Sequence, residues 1–92
     1  MAKISRIYFE NDTILNVEYS DGLTGELDLA KFASKPQYVK LQDPVFRRTA
    51  AIDKKSGDIV WEGCEPLCKN ALYKQFELKS LMKRLKITDD ML

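Results

Sequence analysis

Thr49-Ala-Ala-Ile-Asp-Lys-Lys-Ser-Gly-Asp-Ile-Val-Trp61 is the stretch on which the fold of this 92-residue chain turns. Ile52, Ile59 and Val60 are β-branched, and Asp53, Gly57 and Asp58 punctuate them. Residues 49–53 and 58–61 therefore read as two short strands around a turn at 54–57. The second strand closes on the only tryptophan. The stretch carries no sign of a reacting group. It is scaffold.

Outward from this hairpin, residues 13–20 alternate, with Leu15, Val17 and Tyr19 on one face and Asn16, Glu18 and Ser20 on the other. Residues 3–9 form a preceding strand, joined through Glu10-Asn11-Asp12-Thr13. Asp21-Gly22 predicts a type I′ hairpin turn, because that turn needs positive φ, which glycine adopts without a Cβ penalty. Residues 23–28 return with Leu23, Gly25 and Leu27 in phase. A glycine inside a strand marks a bulge or a close approach. The expected sheet is a three-stranded antiparallel meander. Residues 29–34 then read as a short helical turn stopped at Lys35-Pro36, since the residue before proline avoids the α region. Tyr38, Val39 and Leu41 are expected to pack against the sheet. Asp43 and Pro44 start a second short helix as N-cap and first helical residue.

After Trp61 a loop at 62–66 leads into helical periodicity over 67–87. Ala71, Gln75, Leu78, Met82 and Leu85 form one stripe, with Leu72 and Leu81 beside it, and Phe76 falls outside it at a partly exposed position. The expected domain covers 1–73, and 74–92 is a helical extension that packs on it or dimerises it. The fold class is α+β: a small antiparallel sheet (the meander plus a second hairpin), short helices and a C-terminal amphipathic helix. Val17, Tyr19, Leu27, Leu29, Phe32, Leu41, Phe46, Ile52, Ile59 and Trp61 are the expected core.

Composition narrows the function. The chain is 45% hydrophobic and 32% charged, with a net charge of +1, which fits one folded domain and gives no global pull toward nucleic acid or an anionic membrane. Histidine is absent, which excludes Ser-His-Asp and Cys-His catalysis and histidine metal ligation. Cys64 and Cys68 offer two sulfurs where tetrahedral zinc takes four ligands, and their spacing is not Cys-x-x-Cys. Asp21, Asp28, Asp43, Asp53 and Asp58 all sit where turns, caps and strand ends use a carboxylate. With no Gly-rich phosphate loop, the expectation is a protein that is not an enzyme and takes no metal or cofactor. Met1-Ala-Lys-Ile-Ser-Arg leads into a strand and not an apolar signal region, and no apolar run reaches the ~20 residues that span a bilayer. The expected location is the cytoplasm, away from membranes.

Charge is uneven, however. Residues 67–87 hold six basic side chains and one acidic one. Two functional readings stand open on this helix. Leu78, Met82 and Leu85 would dock a partner protein or a second copy of the chain. Alternatively Lys79, Lys83, Arg84 and Lys86 would contact nucleic-acid phosphates, with Tyr73 or Phe76 supporting a groove contact. The plain reading of the same lysines is a solvated face.

Tyr19-Ser20-Asp21-Gly22, Leu27-Asp28-Leu29, Leu41-Gln42-Asp43-Pro44-Val45-Phe46, Ile52-Asp53 and Ile59-Val60-Trp61 follow one another at spacings that resemble a family of small bacterial and archaeal proteins, domain of unknown function 2442. The likeness covers residues 3–73. After the tryptophan, members usually carry Pro-Asn-Gly and an Asp-Leu-x-Pro segment, where this chain has Glu62-Gly63-Cys64-Glu65-Pro66-Leu67. The resemblance implies a small α+β domain with no established activity. Some members are fused to a helix-turn-helix domain or sit in gene pairs similar to toxin–antitoxin modules. The family thus implies a regulatory or interaction module, antitoxin-like in kind, and assigns no catalytic residue here.

Overall fold

Ile4, Ile7 and Phe9 are spaced by three residues and then two, a pattern that no regular strand can put on one face. The computed structural model, which describes residues 2–84, resolves this with a bulge. In β1 (Ile4–Phe9), Ile4 pairs with Tyr19 and Arg6 with Glu18, so Ser5 is the extra residue. Past the bulge, Ile7 and Phe9 return to the face that Ile4 left. β2 (Ile14–Tyr19) lies between β1 and β3 (Thr24–Asp28) in the predicted antiparallel meander. Leu15, Val17 and Tyr19 are buried on its inner face.

The β2–β3 turn differs from the expected type I′. Gly22 N donates to Tyr19 O at 3.0 Å and Tyr19 N to Leu23 O at 2.8 Å, which defines a three-residue loop. Such a loop is a type I turn followed by one left-handed residue, and Gly22, at φ 93°, is that residue. Asp21 then has a different duty, accepting from Leu23 N at 3.0 Å.

Asp28 ends β3 and caps α1 (Leu29–Phe32) through a bond from Ala30 N at 3.0 Å. A 3-10 segment, Pro36–Gln42, follows with a kink at Tyr38. It buries Tyr38 and Leu41, but Val39, expected to pack on the sheet, is 53% exposed because it falls on the outer side of this narrow helix. Asp43 caps α2 (Pro44–Arg47), accepting from Val45 N at 2.9 Å. The second hairpin is β4 (Ala51–Ile52) and β5 (Ile59–Val60), and its turn is drawn closed by Asp53, which accepts from Ser56 N at 2.7 Å and Ser56 Oγ at 2.8 Å. Ile59 also bridges to Leu67, so the loop after Trp61 returns to the hairpin.

The core joins these pieces. Seven of the expected core residues (Val17, Tyr19, Leu27, Leu29, Leu41, Ile59 and Trp61) are buried, while Phe32, Phe46 and Ile52 are partly covered at its margin. One charged side chain is buried with them. Arg47 donates Nε to Leu41 O at 2.8 Å and Nη1 to Asp12 O at 2.5 Å, and its own carbonyl accepts Trp61 Nε1 at 2.9 Å. The β1–β2 turn, the 3-10 segment, α2 and the hairpin are thus tied through one guanidinium and one indole.

The longest helix among the described residues, α3 (Lys69–Arg84), turns a side other than the stripe toward the sheet. Its buried residues are Leu72 and Phe76. Ala71, Gln75 and Leu78 are exposed. Phe76, placed outside the stripe at a partly exposed position, is 3% exposed because β3 offers it a glycine to sit on. The helix runs unbroken through residues 73 and 74, so a residue of the expected extension lies in the core. Leu85 and Lys86, and the expected helix end beyond them, fall outside the described residues.

Candidate interaction surface

α3 is held by the turn it lies over. Asp58 Oδ1 accepts from Lys69 N at 2.9 Å, satisfying one of the free amides at the helix start. Lys69 Nζ lies 3.8 Å from the same carboxylate and donates to Ser56 O. The Tyr19 hydroxyl donates to Lys69 O at 2.8 Å, and the Tyr73 hydroxyl to Asp21 Oδ2 at 2.5 Å. Tyr73 and Phe76 both meet the Tyr19 ring edge-on, at 5.0 and 6.2 Å between centroids. Below them the Phe76 ring lies directly on the backbone of Gly25, where a Cβ would collide with it. The glycine that the sequence marked for a bulge or close approach serves the close approach.

This anchoring has a pH signature. Burial pushes the Tyr19 hydroxyl up to about 12 from its ordinary value of 10.0. The neutral form is favoured in the folded state, so this stability is fully present below the ordinary tyrosine value and is lost as pH rises through about 12. The thermal midpoint is expected to fall across that window, and Tyr19→Phe should make the fall shallower; an unchanged alkaline limb in a melt series would contradict it. On the acid side, the Tyr73 hydroxyl holds the Asp21 carboxyl below its ordinary value of 3.8, so the contribution of that bond is present above this value and lost below it.

With Leu72 and Phe76 buried and Tyr73 packed on Tyr19, α3 turns Ala71, Lys74, Leu78 and Leu81 outward. Leu78 is 57% exposed and Leu81 48%, and Met82 is half-buried one turn beyond Leu78. Grooves flank the helix on both sides. One, of about 830 Å³, lies between Tyr73, Leu78, Leu81 and Arg84 of α3 and the 21–24 turn. The other, of about 600 Å³, runs along β3 and α1 and gathers Lys31, Lys79 and Lys83. The expected nucleic-acid set is thereby divided: Lys79 and Lys83 stand on one side of the helix and Arg84 on the other. Its expected aromatic support is also engaged elsewhere, since Phe76 is buried and the Tyr73 hydroxyl bonds Asp21.

The chemistry-bearing residues are spread. Cys64 is half-buried and Cys68 exposed, both as free thiols. Among the described residues no three His, Cys, Asp or Glu side chains gather as a metal site would require, and no helix is long and apolar enough to cross a membrane. Sequence reasoning missed Asp58 as the α3 cap and Tyr73 as the partner of Asp21. The pairing of an Asp-Gly turn with a tyrosine at the start of a distant helix leaves no local signal.

A family model described as a protein of unknown function (DUF2442) matches residues 4–77. The chain belongs to the DUF2442 family. In this DUF2442 domain the match takes in the meander, both short helices, the hairpin and the first half of α3, Phe76 included. Leu78 and the residues after it lie past the matched stretch. No curated protein and no solved structure matches the chain.

Proposed function

We propose that this DUF2442 domain is a non-catalytic protein-interaction module and that α3 presents its docking face. The observation that carries the reading is the exposure of Leu78 and Leu81 on a helix whose opposite side already supplies the core contacts. The carboxylates support it as well. Asp21, Asp28, Asp43, Asp53 and Asp58 each accept a backbone amide in a turn or cap, which leaves them structural work in place of chemistry. A regulatory role in a gene pair, antitoxin-like in kind, is what the family resemblance adds.

Replacing Leu78 and Leu81 together by lysine is the direct test. Association, whether with a copy of the chain or with a different protein, is expected to be lost at least tenfold while the thermal midpoint stays within a few degrees, since both side chains are exposed. Association untouched by these changes would sink the reading. The second reading, nucleic-acid binding, draws on the exposure of Lys74, Lys79, Lys83 and Arg84. It would replace the first if duplex or single strands shifted at low salt and the shift vanished on removing those charges.

A further inference from the structure

The outward side of α3 carries a spacing of its own. Ala71, Lys74, Leu78 and Leu81 recur alternately at three and four residues, the a and d spacing of a helix–helix seam, and all four are exposed. Gln75 and Met82 flank the seam on one side as e positions. Glu77 and Arg84 flank it on the other as successive g positions. Glu77 is the only acidic residue of α3. Among the described residues neither Glu77 nor Arg84 has an ion-pair partner.

We propose that this seam docks on a second copy of the chain, the two α3 helices lying antiparallel about a two-fold axis between Leu78 and Leu81. The inference rests on the interaction-module reading and names its occupant. A two-fold contact must be self-complementary: if residue i meets j, then j meets i. About this axis Leu78 meets Leu81 of the other copy, and the reverse contact follows. Antiparallel pairing also turns g positions toward g positions. Glu77 then faces Arg84 of the other copy, and symmetry makes the pair occur twice. A parallel pair would set Glu77 against an e position, which here is Met82, and both charge pairs would be lost. Lys74 lies within the seam, where a lysine lays its methylene stem along an apolar contact and keeps its ammonium in water. The groove of about 830 Å³ between α3 and the 21–24 turn runs along the Glu77 and Arg84 flank and leaves space beside the helix.

Sedimentation equilibrium of the full chain over micromolar to millimolar concentration tests this. The mass is expected to climb from 10.6 kDa toward twice that value. Glu77→Arg and Arg84→Glu should each weaken the dimer about tenfold, because each sets like charges opposite one another twice. The double exchange should return the affinity to within about threefold of wild type, since the pairs are reversed and still complementary. Circular dichroism of all three variants is expected to match wild type, which separates loss of association from loss of fold. A mass of 10.6 kDa at every concentration overturns the proposal. So does a double variant no tighter than the single ones. A monomeric chain that binds a different protein, and loses it when Leu78 and Leu81 become lysine, overturns the second copy as occupant while leaving the interaction module standing.

Discussion

Trp61→Ala is expected to remove about 3–5 kcal/mol of stability, the usual cost of emptying a buried aromatic site. The indole is 2% exposed, so little of the space would be reached by solvent without rearrangement. Part of the loss is polar. Trp61 Nε1 donates to Arg47 O at 2.9 Å, and the same arginine holds Leu41 O and Asp12 O through its guanidinium. Losing the ring leaves a buried carbonyl without its donor and loosens the residue that ties α2 to the β1–β2 turn. Trp61→Phe separates the contributions: it keeps most of the apolar contact and drops the hydrogen bond, at about 1–3 kcal/mol. A domain of this size has a total stability of only about 5–15 kcal/mol, so the alanine variant should melt far below wild type or not fold. A urea midpoint for Trp61→Ala close to that of wild type would refute the buried indole.

Phe76→Ala should cost nearly as much, about 3–5 kcal/mol, although the residue lies in the expected extension, 74–92. Its partner makes the test specific. Gly25→Val places a branched side chain where the Phe76 ring lies, so it should destabilise by about 1–3 kcal/mol through overpacking. Combining the changes should cost less than their sum. In Phe76→Ala the ring is gone, and the valine occupies space that would otherwise be a cavity. A coupling of roughly 0.5–3 kcal/mol in urea denaturation is expected for residues in contact. Strict additivity would mean that residues 25 and 76 do not touch.

These predictions mark where the sequence was legible and where it was not. The alternation of Leu15, Val17 and Tyr19 showed the inner face of the sheet, and Asp43-Pro44 showed a helix start, because strand period and cap chemistry are local. The hairpin at 49–61 was readable for the same reason. The inward face of α3 was not. Leu78, Met82 and Leu85 make a more continuous apolar row than Leu72 and Phe76, so periodicity alone marks a row without saying which side of the helix meets the sheet. The decision is made in β2 and β3, where Gly25 leaves room for an aromatic ring and Tyr19 offers it an edge. A glycine in phase with buried leucines announces that something large comes close without saying what. Arg47 was hidden for a related reason: a charged residue is read as surface, and its burial depends on carbonyls at positions 12 and 41 that converge only in the folded chain. The docking surface follows from the same placement, since Leu78 and Leu81 are left exposed on the side away from the sheet.

The inward placement of Phe76 sets which side of α3 meets the sheet, and a nuclear Overhauser spectrum reads it out. Strong cross-peaks from the Phe76 ring protons to both Gly25 α-protons are predicted, with those α-protons shifted upfield by the ring and the Leu78 methyls showing no contact to the sheet. Cross-peaks from the Leu78 methyls to Gly25 or Leu27, with the Phe76 ring silent, would put the opposite side of α3 on the sheet.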